Sequence, residues 1–327
     1  MNIAIIGAGT IARNMAKTLR GMKARGQNVE LYAIAARDLD RAQAFAQEEG
    51  FVKAYGSYRE MLEDDQVELV YIATPHSHHA EHMKLCIEYG RPILCEKPFT
   101  GNARQAEEVL RMAEEKGVFV TEAIWTRYMP SRGIINDLLA SGIIGEPKVL
   151  NANLAYAMEN KERILKPELA GGALLDLGVY TLNFASMIFG DDVERMESAV
   201  QMYPTGVDFT ENISLYYKDG RSAHLISSAA ARMDRRGVVS GAKGYLTVNN
   251  VNNPTVIEVF DDNDQLLKHV DVPEQITGFE SQVEACMRAL EAGQLECPEM
   301  PHEETVKIME IMDGIRKSWG YDIPLHH

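Results

Sequence analysis

The 327-residue chain is short of cysteine, of tryptophan and of positive charge. Its four cysteines, Cys86, Cys95, Cys286 and Cys297, are too few and too scattered for a disulfide framework, and no pair has metal-ligand or redox spacing. They read as small apolar residues in a reducing compartment. Lys and Arg number 33 against 48 Asp and Glu, a net charge of −15. That balance argues against nucleic acid as a partner, because phosphate backbones require a basic surface. It leaves room for a phosphorylated small molecule, which needs only a local positive group. No run of about 18 or more apolar residues is read along the chain, so no membrane partner is expected. Met1 leads straight into an apolar stretch with no charged leader, and a cytoplasmic protein is expected. There is no internal repeat and no low-complexity segment. The charge run 261–264 reads as a solvated turn. What remains is a globular chain with room for two domains.

The stretch Met1 to Ala12 organises the first half. Ile3, Ala4, Ile5 and Ile6 form a short uncharged run, the pattern of a strand buried on both faces of a parallel sheet. Gly7, Ala8, Gly9, Thr10, Ile11 and Ala12 then read G-x-G-x-x-A. Gly7 permits the tight turn. Gly9 lets a pyrophosphate approach the backbone, and Ala12 lets the next helix pack on the strand. Ile11, Met15 and Leu19 lie four apart on that helix. The strand–glycine–helix context points to dinucleotide binding, with phosphates at the helix N-terminus.

The second strand, 29–36, ends at Ala36 and Arg37, where an acidic residue would accept bonds from a ribose 2′-hydroxyl. Ala36 leaves space for a 2′-phosphate and Arg37 can pair with it, so NADP(H) is favoured over NAD(H). The plain alternative for Arg37 is a solvated surface arginine. Asp38 is placed to cap the next helix, 39–49. A short helix at 58–64 and a third strand at 67–73 lead to Thr74, Pro75 and His76. Four histidines, His76, His78, His79 and His82, fall close together, yet no carboxylate sits at zincin spacing, so no metal is expected. A helix at 80–89 and a fourth strand at 92–95 deliver Glu96, Lys97 and Pro98 to the carboxyl edge of the sheet, where such folds bind ligands. Taken alone, Lys97 is an ordinary surface lysine. Helix 103–116 and strand 118–122 complete a domain spanning 1–122.

From residue 123 the alternation of strands and helices stops. After a helix at 131–140, strands dominate: 148–157, 193–203, 212–218, 221–229, 237–240, 245–249, 256–261 and 266–272. Helices at 278–291 and 303–318 close the chain. The expected second domain, 123–327, is α+β with a large, mostly antiparallel open-faced sheet. Within it one helix, 171–189, carries Asp176 and Tyr180 four apart on one face. An acid and a phenol one turn apart could serve as an acid/base pair, but spacing alone favours an Asp at a helix N-terminus and a Tyr packed in the core.

These stretches occur in a fixed order: G-x-G-x-x-A, T-P-x-x-x-H at 74–79, E-K-P at 96–98, and G-G-x-x-x-D-x-x-x-Y at 171–180. Together they resemble the Gfo/Idh/MocA oxidoreductases across the whole chain. The segments 35–38, 122–127 and 172–176 are similar to the branch of dimeric dihydrodiol dehydrogenases and NADP-dependent D-xylose dehydrogenases. The resemblance implies an α/β protein: an N-terminal Rossmann doubly wound sheet, then a domain whose open sheet packs against a second copy in a homodimer. It implies cofactor contacts from Gly7, Gly9, Thr10, Ile11, Ala12, Arg37, Thr74, Pro75, His76, His79, Glu96, Lys97, Trp125 and Arg127. It places Lys97, Asp176 and Tyr180 at the chemistry, with Tyr180 where inositol dehydrogenases carry a His.

The implied reaction is hydride transfer between nicotinamide C4 and a carbinol or carbonyl carbon of a sugar, polyol or dihydrodiol. Tyr180 would move the hydroxyl proton with a cationic Lys97 beside it. Spacing leaves open that Lys97 carries the proton itself. Pocket residues are expected from 156–166 and the sheet face. A different class, a non-catalytic NADP(H)-binding sensor acting through its open sheet, would keep the glycine motif but need none of Lys97, Asp176 or Tyr180.

Overall fold

The computed structural model describes residues 1–324 and divides the chain into two compact units, 1–125 with 275–306, and 126–274 with the end of the chain. The first unit begins as a strict alternation: β1 (Asn2–Ile6), α1 (Thr10–Ala24), β2 (Glu30–Ala35), α2 (Leu39–Glu49), β3 (Lys53–Tyr55), α3 (Tyr58–Leu62), β4 (Leu69–Ile72), α4 (His79–Glu88), β5 (Ile93–Glu96), α5 (Ala103–Lys116) and β6 (Val120–Ala123). The six strands form one sheet in the order β3-β2-β1-β4-β5-β6, every pair parallel. This is the doubly wound arrangement expected from the uncharged strand sequences, with its switch point between β1 and β4. Ile3 to Ile6 are all buried, as a strand covered on both faces requires. Short β3 is an edge strand that Lys53, Ala54 and Tyr55 did not signal by periodicity.

The second unit follows with α6 (Pro130–Ala140), β7 (Pro147–Ala155), α7 (Glu162–Leu165), a wide helical turn (Leu174–Gly178) running into α8 (Val179–Phe189), and then β8 (Val193–Met202), β9 (Asp208–Tyr217), β10 (Ser222–Ser228), β11 (Gly237–Gly241), β12 (Gly244–Val248), β13 (Val256–Asp261) and β14 (Leu266–Asp271). Eight strands make one sheet in the order β14-β13-β12-β11-β7-β10-β9-β8, antiparallel except for β7 with β10. On β7, Leu150, Ala152 and Leu154 face inward while Val149, Asn151 and Asn153 alternate with them on the other face.

Two expectations change. The chain does not divide once near residue 123: α9 (Glu280–Glu291) and the start of α10 (His302–Ser318) belong with the first unit. The reason is packing that no local pattern announces. Ile276 lies where a side chain on Gly21 of α1 would be, Thr277 bonds Thr18 at 2.6 Å, and the Val120 N–H donates to the Leu295 carbonyl. The end of the expected second domain, 325–327, lies outside the described residues. The second change concerns apolar runs. Pro167–Phe189 is a helical stretch long and apolar enough to cross a membrane, but 89 % of its most apolar window is buried inside the protein. It is a core helix of the second unit.

Candidate active site

The glycine turn sits at the switch point of the first sheet. Gly7 has φ +101, and a Cβ there would meet the Ala73 carbonyl at 2.9 Å and Thr74 at 3.0 Å. Only glycine passes between β1 and the end of β4. Gly9 is different: nothing lies within 4 Å of where its Cβ would be. It stands at the N-cap of α1, no side chain caps the helix, and the first turn, including exposed Thr10, holds no acidic residue. Ile11 is half-buried and Ala12 fully buried against the sheet. Open space before uncapped N–H groups, with no acidic residue in the first turn, fits a dinucleotide diphosphate.

At the tip of β2, Arg37 is exposed and Asp38 caps α2 by accepting the Arg41 N–H at 2.8 Å. Arg41, a residue the motif reading passed over, reaches back and donates to the Ala8 carbonyl at 2.8 Å. Tyr58 is raised by burial, against the charges of Arg37 and Arg41. Arg41 thus reaches the glycine turn, and Arg37 stands exposed at the tip of the neighbouring strand.

Among the described residues no group of three or more His, Cys, Asp or Glu side chains could hold a metal ion. His79 is fully buried and ties two loops: Nε2 faces the Thr74 carbonyl and Nδ1 the Pro98 carbonyl, both at 2.9 Å. Burial lowers its pKa. His82 bonds the Thr74 hydroxyl at 3.0 Å and meets the Tyr58 ring edge-on, and burial pushes it down to about 4. Pro75 caps the short turn 76–78, and His76 meets the His79 ring at 5.8 Å.

Lys97 follows β5 on a turn held from three sides. Glu96 accepts from the Tyr71 hydroxyl on β4, His79 takes the Pro98 carbonyl, and Glu122 on β6 accepts the Phe99 N–H at 3.0 Å. Tyr71 and Glu122 are contacts that sequence spacing did not reveal, although both lie on strands it located. Trp125 packs edge-to-face on Phe279 at 4.7 Å, so the returning segment supplies its neighbour.

In the second unit, the expected straight helix is interrupted. Leu174–Gly178 is a π-turn, and α-helical geometry resumes at Val179. Asp176 lies in the wide turn and Tyr180 in the regular part, so the one-face argument from 3.6-residue spacing does not transfer unchanged. Both are buried, at 4 % and 7 % exposure. Asp176 is gripped by Arg163 through two bonds, 2.7 and 3.1 Å. Arg163 falls within the expected pocket segment, but the segment did not single it out. The double glycine before the turn has a steric cause: a Cβ on Gly171 would sit 2.5 Å from the Ile164 carbonyl, and one on Gly172 would strike Asp208. The family pattern points Arg127 at the cofactor. Arg127 is 1 % exposed, and its guanidinium donates to Asn183 Oδ1 at 2.5 Å and Ser186 Oγ at 2.7 Å on α8.

A doubly wound nucleotide unit joined to a large open-sheet unit defines the class of NAD(P)-dependent oxidoreductases built on these two parts. Residues 1–124 match the oxidoreductase family with an NAD-binding Rossmann fold, and residues 134–247 match the GFO/IDH/MocA C-terminal domain. The chain belongs to the Gfo/Idh/MocA family and is an oxidoreductase. It is 34 % identical to trans-1,2-dihydrobenzene-1,2-diol dehydrogenase of Mus musculus, covering 98 % of this chain and 97 % of that protein. The Homo sapiens enzyme of the same name is 32 % identical over the same shares. A 3-ketoreductase from Actinomadura kijaniata, solved with NADP and TDP-benzene, superposes with a TM-score of 0.84 at 26 % identity, covering 97 % of both chains.

Proposed function

We propose that this protein catalyses hydride transfer with NADP(H), between nicotinamide C4 and a carbinol or carbonyl carbon of a sugar, polyol or trans-dihydrodiol. The observation that carries the reading is the buried Asp176–Tyr180 turn, set behind two sterically required glycines in a chain related over 98 % of its length to dihydrodiol dehydrogenases.

When bound, the nicotinamide supplies or accepts the hydride. The protein's own part is the proton. Tyr180 takes it from the substrate hydroxyl in oxidation and returns it in reduction. A cation favours a phenolate, and the family resemblance assigns that part to Lys97. Asp176, with both oxygens facing Arg163, acts as an acceptor that orients a substrate hydroxyl rather than as the proton carrier. Arg37 and Arg41 select the 2′-phosphate.

Fluorescence titration with NADPH and NADH tests the cofactor first. At least about tenfold tighter NADPH binding, or roughly 1.4 kcal/mol, is expected. Sugars, diols and dicarbonyls are then screened with the preferred cofactor. Preference for NADH overturns the roles of Arg37 and Arg41; cofactor binding without turnover of any of these substrates overturns the proposed substrate class. We also assign self-association to the outward face of the second sheet, where Val149, Asn151, Ile226 and Tyr216 lie exposed or half-exposed. Light scattering reads this directly as a dimer or monomer mass.

A further inference from the structure

The wide turn that carries Asp176 starts against a buried carboxylate that the reaction does not use. Asp208, the first residue of β9, is 1 % exposed and accepts the Leu174 N–H at 2.6 Å. Its other oxygen occupies the place of a Cβ on residue 172, and Gly172 has φ +111. Glycine and carboxylate are therefore fitted to one another. Burial raises the pKa of Asp208, and the Leu174 N–H and the charge of Arg316 act against that rise. Arg316, near the end of α10, is itself buried at 3 % exposure. A buried carboxyl oxygen held this way acts as a fixed hydrogen-bond acceptor.

The first N–H groups of a helix have no partner within it. A π-turn is a rare geometry that the surrounding contacts must maintain. Here Asp208 holds its leading end, two residues before Asp176 and six before Tyr180.

We infer that Asp208 is a positioning residue for the reaction: it fixes the start of the Leu174–Gly178 turn and, through it, the directions of Asp176 and Tyr180. The inference rests on the reading that those two side chains serve the reacting carbon. Misplacement of reacting groups by about 1 Å can cost on the order of 100-fold in rate.

The test compares Asp208→Ala and Asp208→Asn with the parent, all saturated with NADP(H), on the best substrate found. Hydrogen exchange over 172–181 is followed in parallel. Asp208→Ala is expected to lower kcat at least ~10-fold while KM and cofactor affinity stay within about twofold, the pattern of lost transition-state alignment. Asp208→Asn keeps an acceptor oxygen and is expected to recover kcat to within about threefold of the parent. Exchange over 172–181 rises in the alanine variant and stays near the parent rate in the asparagine variant. The inference is overturned if the alanine variant keeps kcat within about twofold, if asparagine rescues nothing, or if activity merely follows the folded fraction. Should Asp208→Ala fail to fold, Gly172→Ala replaces it, because the added methyl displaces the carboxylate; full kcat there also overturns the inference. If the parent turns over no CH–OH substrate, the functional reading fails separately. Exchange then decides the placement alone, faster exchange supporting it and unchanged exchange refuting it.

Discussion

The turn that carries Lys97 and the turn that carries Asp176 are held by different means. Around Lys97 the partners are neighbours in the sheet: Tyr71 on β4, His79 at the start of α4 and Glu122 on β6. A parallel sheet brings consecutive strand ends to one edge, so these groups arrive there by topology. Around Asp176 they come from separated parts of the chain: Arg163 before the turn, Asp208 on β9, and behind Asp208 the charge of Arg316 on α10. The first turn depends on strand order, and the second on side chains that must be the right ones.

The sharpest break of this comparison is at the reacting groups themselves. Lys97→Met and Tyr180→Phe are each expected to cut turnover at least ~100-fold in steady-state assays, the size of lost acid–base catalysis. Near-full activity in both would leave neither turn with a catalytic purpose. Next, Arg37→Ala with Arg41→Ala is expected to weaken NADPH binding about tenfold or more and leave NADH binding nearly unchanged, by fluorescence titration. Glu122→Ala removes the acceptor of the Phe99 N–H and is expected to cost about 1.5–3 kcal/mol in denaturant unfolding. If it also lowers kcat, the Lys97 turn needs its side chains as much as the Asp176 turn does, and the contrast narrows.

Two smaller effects concern pH. Glu211 is fully buried on β9, and burial with the adjacent Asp208 carboxylate pushes it well above the ordinary carboxyl range, only Ser227 opposing. Its proton is retained in the folded state after the unfolded chain has released it, so stability falls as pH rises from the ordinary carboxyl range towards the raised value. Glu211→Gln removes that loss. The variant is expected to melt above the parent at about pH 8, with the gap closing near about pH 4. For His82 the sign reverses. The unfolded ring titrates near 6.5 and the folded one is pushed down to about 4, so the unfolded state binds more protons between them and stability falls as pH drops through that window. His82→Gln is expected to flatten this acid limb.

Much of the first unit was legible because its signals are local. The run Ile3–Ile6, the turn at Gly7 and the helices 39–49 and 103–116 each follow from a few adjacent residues, and the two helices fall on the expected bounds. The large mostly antiparallel sheet was legible from alternation and turn residues, as at Asp219 and Gly220. What was not legible depends on distant pieces. Nothing near Gly172 says that Asp208 stands against it, and nothing near Asp176 selects Arg163 from its segment. The π-turn was hidden for the same reason: 174–178 is apolar enough for any helix, and its geometry is set by what surrounds it. Arg127 is a further case. Nothing in 122–127 announces that Arg127 is buried; that follows from Asn183 and Ser186, which lie far along the chain.

The return of residues 275–306 to the first unit has a consequence for the order of synthesis. The last strand of the first sheet, β6, receives the Leu295 carbonyl on its Val120 N–H and the His302 ring on its Val120 carbonyl. The groove beside Gly21 is filled by Ile276. On a ribosome residues 1–125 emerge well before 275–306, so the nucleotide unit cannot be finished until all of 126–274 has been made. Until then β6 offers an open edge and α1 an uncovered patch, features that make a partly made chain prone to aggregate and a target for chaperones.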